Sequence, residues 1–181
     1  MSFDDILDDG RLWAVRYDGD VDNILYILFN QWNDIEWLTT FFRANIKDLS
    51  EYFKITDLNQ AIYDTKVDAD ELECLILDSN PGTDLDKLFK PLENLRGSEM
   101  LLGREKAKGN RNNGHDSWLR LYAIRFQRGS YLITGGAIKL TRTMQEREHT
   151  IEELRRLEMV RNMLLAEGVT DLDGFYDLVV S

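Results

Sequence analysis

Cysteine is nearly absent. The 181 residues hold one, Cys74, and a lone thiol excludes an internal disulfide framework. It lies in ELECLIL and reads as a small core residue of a protein kept in a reducing compartment. Histidine is scarce too: His115 and His149, far apart in sequence, leave no Cys/His set for zinc. Both read as solvent-facing. No apolar run approaches the roughly 20 residues of a membrane span. The start, MSFDDILDDG, is acidic and lacks a basic n-region, so a cytoplasmic protein without a targeting segment is expected. There is no P-loop, no dinucleotide fingerprint and no Ser-His-Asp pattern, and Gly135-Gly136 alone makes none of these. Asp18, Asp20 and Asp22 have the spacing of a calcium loop. Asn23 stands where glycine is needed and Phe29 where the bidentate glutamate belongs, so a turn and helix cap is the better reading. Neither a metal nor a cofactor is implied.

What is present is charge, unevenly spread. The formal net charge is -11. Residues 1–95 carry 8 Lys/Arg against 21 Asp/Glu, a balance of -13. Residues 96–161 carry 14 against 8, or +6, and residues 162–181 carry 4 acids and no Lys/Arg, or -4. A basic segment is framed by acidic ones. Either the acidic part packs on the basic part, or the basic part is a local anion-binding face.

The pattern implies one α+β domain over 1–181, with a mixed or antiparallel sheet of about four strands and helices on one face. The strands fall near 11–17, 99–107, 118–127 and 131–140. A short helix is expected over 23–29 and a long one over 35–53, with Ile35, Leu38, Phe42, Ile46, Leu49 and Phe53 at helical spacing. Asp57 caps another over about 58–78. Trp32, Trp37, Phe41 and Phe42 read as core rather than as a platform for bases, because their surroundings are acidic. SNPGT at 79–83 is a turn, 84–89 a short helix ended before Pro91, and GNRNNG at 109–114 a polar loop. Thr150-x-x-Glu153 has the form of a capping box opening the last long helix, in which Glu153 and Arg156 read as a solvated pair. A short helix over 171–179 ends the chain.

SWLRLYAIRFQRGSYLITGGAIKLTRT, 117–143, reads as a hairpin turning at Gly129, where φ > 0 is accessible to glycine. Period-2 alternation puts Trp118, Arg120, Tyr122, Ile124 and Phe126 on one face. An arginine on so apolar a face needs a partner, an acid of this chain or a bound anion. Gly135-Gly136 inside the second strand marks a bulge, or a place where another group approaches the backbone.

Cations recur on neighbouring strands: Arg104, Lys106 and Lys108, then Arg120 and Arg125, then Lys139 and Arg142. If they converge they can hold a phosphate, as phosphodiester cleavage requires. RNA supplies its own 2′-hydroxyl nucleophile, and Tyr122 or Tyr131 can stack a base or give a proton.

The order strand, helices, three antiparallel strands, helix resembles the RelE/HigB/ParE superfamily of toxins from type II toxin–antitoxin systems. WLRLYAIRF, YLITGGAIKLTRTM and the helix from Thr150 carry the resemblance. It covers 11–17 plus 99–165 as a RelE-like core, with 21–95 as an enlarged acidic helical insertion. The resemblance implies a ribosome-associated endoribonuclease that cleaves mRNA by activating its 2′-hydroxyl, held in check by a cognate antitoxin protein. Arg104, Arg120 and Lys139 take the catalytic positions, with Lys106, Lys108, Tyr122, Arg125 and Arg142 as RNA-binding residues. The alternative on the same scaffold is a non-enzymatic interaction protein, a ParE-like gyrase inhibitor or a regulator. The chain departs from the family in its length and acidity, and in lacking a C-terminal catalytic tyrosine or histidine.

Overall fold

The computed structural model describes residues 1–78, 85–92, 101–109, 114–142 and 147–181. The turn at 79–83 and most of the loop at 109–114 lie outside them. In chain order the elements are β1 (Ser2–Asp5), β2 (Leu12–Arg16), α1 (Ile24–Asn33), α2 (Ile35–Ala44), α3 (Ile46–Phe53), α4 (Leu58–Leu77), α5 (Leu85–Leu88), β3 (Phe89–Pro91), β4 (Gly103–Lys108), β5 (Leu119–Gln127), β6 (Ser130–Ile138), α6 (Glu148–Ala166) and α7 (Leu172–Val180).

The α+β class stands, but the sheet has six strands among the described residues, in the order β1-β2-β6-β5-β4-β3. The two strands beyond the expected four are its edges, β1 and the three-residue β3. Among the described strands only β2 and β6 run parallel, and every other pair is antiparallel. The parallel pair is what lets the helices α1–α4 intervene between the first strands and the meander β4-β5-β6, because a parallel return needs a long crossover.

Helices cover both faces of the sheet, not one. Successive strand residues point to opposite sides. The side-chain direction of Gly135 meets Glu153 of α6, while that of Gly136 meets Leu28 of α1. The α1 face also takes Trp118, which lies just before β5. Its indole donates to Thr65 of α4 at 2.9 Å and packs edge-on against Phe42 and Phe53. Trp118 therefore turns away from Arg120 rather than sharing its face. On the α6 side, Phe175 of α7 is fully buried and meets Phe3, Trp13 and Phe126.

Local chemistry sets the helix ends. Asn23, Asp34, Asp57 and Asp171 each accept a backbone N–H in the first turn of α1, α2, α4 and α7. The helix expected over 35–53 is two, because Asn45 leaves helical geometry between α2 and α3. Cys74 is exposed near the end of α4, not in the core, since Leu72 and Ile76 take the buried positions of that turn. No helix among the described residues is long and apolar enough to cross a membrane.

Candidate functional site

Three strand pairs hold β2 to β6, from Leu12↔Tyr131 to Ala14↔Ile133, and then β2 departs. Beyond Ile133 no strand among the described residues lies beside that edge of β6. Unpaired backbone groups at an edge need other partners, and side chains supply them. The Tyr17 hydroxyl donates to Thr134 O at 2.5 Å. The Gly136 N–H donates to Glu153 Oε2 at 3.0 Å. His149 Nε2 lies 2.9 Å from Ile138 O, so that nitrogen carries the proton and donates.

On its other edge β6 slips against β5. Tyr122 pairs with Gly135 but Ala123 with Ile133, so Thr134 is an extra residue at a bulge. Both glycines there are required by close approach. A Cβ on Gly135 would stand 1.9 Å from Glu153 Oε2, and one on Gly136 2.7 Å from Arg120 O. The group that approaches the backbone is thus the Glu153 carboxylate.

Glu153 is not the acid of a capping box. α6 begins at Glu148, the Thr150 hydroxyl donates to Arg147 O, and Glu153 points into the sheet. Its side chain is 10% exposed and its other oxygen accepts from Arg156 Nη1 at 3.2 Å, so the acid of the pair is buried while Arg156, 41% exposed, stays in contact with solvent. Burial pushes the carboxyl up to about 7, against the opposing pull of Arg156 and the Gly136 N–H. A carboxyl that titrates near neutrality can take and return a proton.

Beside it stands Tyr122, 1% exposed, whose hydroxyl is buried with no hydrogen-bond partner among the described residues. Burial raises its phenol; Arg120 lowers it and Glu153 raises it, which puts all three groups within electrostatic reach. Arg120 Nη1 donates to Ser117 O at 2.8 Å and Leu119 O at 2.7 Å. No carboxylate among the described residues pairs with its guanidinium, and burial lowers its pKa. The arginine expected to need an acid or an anion is anchored instead by backbone carbonyls.

Where β2 leaves β6, a cavity of about 360 Å³ opens between α1–α2 and α6. Its floor is Gly136–Ile138. His149, Glu153 and Arg156 line one side, Gln31, Trp37 and Phe41 the other. The Trp37 and Phe41 rings stack at 5.5 Å and 10°, and His149 meets Phe41 edge-on at 5.4 Å. Trp32 and Phe42 are core, as expected, but Trp37 and Phe41 are only partly buried. Neither histidine faces open solvent: His115 stacks on Trp118 at 4.4 Å with Nε2 3.0 Å from Asp64.

The expected cationic set is divided. The β4–β5 ladder sets Lys106 opposite Tyr122 and Lys108 opposite Arg120, which puts them with Arg104 on the α6 face. Arg104 lies four residues along β4 from Lys108, roughly 13 Å at strand rise, and pairs with Glu158 of α6 at 2.6 Å. Lys108 pairs with Asp116 at 3.0 Å, and Lys106 Nζ reaches Leu92 O at 3.5 Å. Arg125 is on the opposite face, 3.5 Å from the buried Glu105. Lys139 lies past the end of β6 and donates to Arg142 O, while Arg142 is exposed. Arg104, Arg120 and Lys139 are therefore not brought to one point. Tyr122, at 1% exposure, has no free ring face for a base. Tyr131 is likewise buried, stacked on Phe89 and donating to Asp86.

The arrangement joins a carboxyl poised near neutrality, two guanidinium groups, an unsatisfied phenol and an aromatic-walled cavity. Among the described residues no group of three or more His, Cys, Asp or Glu is placed to hold a metal. Family models, curated proteins and solved structures yield no match to the chain.

Proposed function

We propose that the protein is a RelE/HigB-like toxin, an endoribonuclease that cleaves mRNA on the ribosome by activating the RNA 2′-hydroxyl. The observation that carries this reading is Glu153, held near neutrality over Gly135 beside Arg120, Tyr122 and Arg156. The chain order of strand, helices, three-strand meander and helix is consistent with it. Glu153 takes the proton of the 2′-hydroxyl, whose oxygen attacks the adjacent phosphorus. The P–O5′ bond breaks, the 5′-oxygen takes its proton from solvent water, Glu153 releases the proton it accepted back to solvent, and a 2′,3′-cyclic phosphate remains. Arg156 and Arg120 face the charge that develops on the phosphoryl oxygens.

Induced expression followed by mapping of transcript ends tests it. Wild type should produce cuts at defined codons, and the near-isosteric Glu153→Gln should lower cleavage by about 10²–10⁴-fold, the usual worth of a positioned acid–base group. Intact transcripts under wild-type induction, or undiminished cutting by a folded Glu153→Gln protein, would sink the proposal. A second reading, a non-catalytic protein that works by binding a partner, is favoured by the pairing of Arg104 with Glu158 and of Arg147 with Asp48. Uncut transcripts with DNA damage would favour a ParE-like gyrase inhibitor.

A further inference from the structure

The cavity between α1–α2 and α6 has an unusual lining for so acidic a protein. Its volume of about 360 Å³ falls in the range of small-ligand sites, and it combines an apolar wall with a few convergent polar groups. The wall is the Trp37–Phe41 stack on α2, with both rings partly open. The floor is flat because Gly136 and Ala137 bring little side chain to it. The polar groups include acceptors beside the donors of Gln31 and Arg156. Asp20 and Glu153 are carboxylic, and His149, which donates from Nε2 to Ile138 O, has an acceptor in Nδ1.

We propose that this cavity seats an unstacked nucleobase carrying an exocyclic amine: adenine, cytosine or guanine in preference to uracil. A planar ring fits against Trp37 and Phe41, since every base has a π face and base–aromatic stacking tolerates sequence. The amine donates to the acceptors of the polar side. Uracil offers two carbonyl acceptors and one N–H, so it can donate to fewer of those acceptors than a base with an amine does. Arg156, which reaches Glu153 at 3.2 Å and lies 5.6 Å from the Tyr17 ring, stands where the attached phosphate would emerge. The inference deepens the nuclease reading by giving the nucleotide beside the scissile linkage a place. It does not need cleavage to occur.

Anisotropy of end-labelled single strands with 2′-deoxy sugars tests it, because such strands carry the base but no 2′-hydroxyl. Oligo-dA and oligo-dC should bind at least several-fold tighter than oligo-dU at equal length and low salt. Trp37→Ala should weaken oligo-dA by about tenfold, as expected for loss of one stacked ring. Ile27→Trp, which fills the cavity from α1 at a partly exposed position, should do the same with the thermal midpoint preserved. Equal binding of the three strands would overturn the proposal, as would indifference to both substitutions or no binding up to about 10 mM strand. AMP competing as well as oligo-dA would identify a free nucleotide as the source of the base; weaker competition would identify a nucleic-acid strand. Base-selective binding without any RNA cleavage would uphold the cavity and remove the nuclease. Cleavage unaffected by Ile27→Trp and Trp37→Ala would do the reverse.

Discussion

Glu153 shows how far one side chain can depart from its local signal. Thr-x-x-Glu at a helix start reads as a capping box, yet this carboxyl belongs to Gly135 and Gly136, 17 residues or more upstream. The glycine pair was legible as a place of close approach; what approaches was not, because that depends on how α6 lies on the sheet. Its charge has a measurable consequence. The folded carboxyl titrates at about 7, above its usual range, so between the unfolded value and 7 the folded state binds more protons than the unfolded one. Stability must then fall as pH rises through that window and level off above it. The drop is on the order of 3 kcal/mol, and Glu153→Gln should flatten it in urea titrations at a series of pH values. Gly135→Ala should destabilise by about 1–3 kcal/mol, the usual cost of overpacking, because the added methyl meets the Glu153 carboxylate at 1.9 Å.

At the scale of elements, the long periodic segments were readable and the edges were not. α1, α4, α6, α7, β5 and β6 follow from hydrophobic spacing and caps. β1, SFDD, carries no alternation to betray it, and β3 is three residues ending in proline. The 35–53 segment splits at Asn45 with its apolar spacing unbroken, so periodicity alone shows one helix there. α7 is the element most dependent on one residue. Its only fully buried side chain is Phe175, set among Phe3, Trp13 and Phe126. Phe175→Ala should cost about 3–5 kcal/mol and raise amide exchange across α7 before the rest of the fold. An undisturbed α7 in that variant would contradict the packing described here. Arg104–Glu158, with side chains 25% and 36% exposed, is a weaker tie. Glu158→Gln should change stability by no more than about 1 kcal/mol, read from urea midpoints.

Across the whole molecule, the acidic helices and the sheet share one continuous core. Trp118, at 0% exposure, joins Phe42, Phe53 and Thr65 of the helical part to the start of β5. Far-ultraviolet circular dichroism and tryptophan fluorescence should therefore report one coincident urea transition; two separated transitions would show that the helices fold apart from the sheet. The charge division resolves partly in favour of internal pairing, as Asp48 of α3 takes Arg147 at the start of α6. That outcome was open in composition, since like net charges can arise from paired or from exposed groups. The convergence of strand cations was equally undecidable from spacing: alternation assigns Arg125 a face, but only the ladder register shows that Arg104 sits four residues from the partner of Arg120.

The departure of β2 from β6 leaves the Gly136 amide reporting on a carboxylate instead of on a neighbouring strand. Its proton resonance should move downfield as Glu153 ionises, tracing a titration curve for a single buried acid. A ligand entering the cavity would shift the midpoint of that curve, so one backbone nucleus serves as a built-in sensor of occupancy.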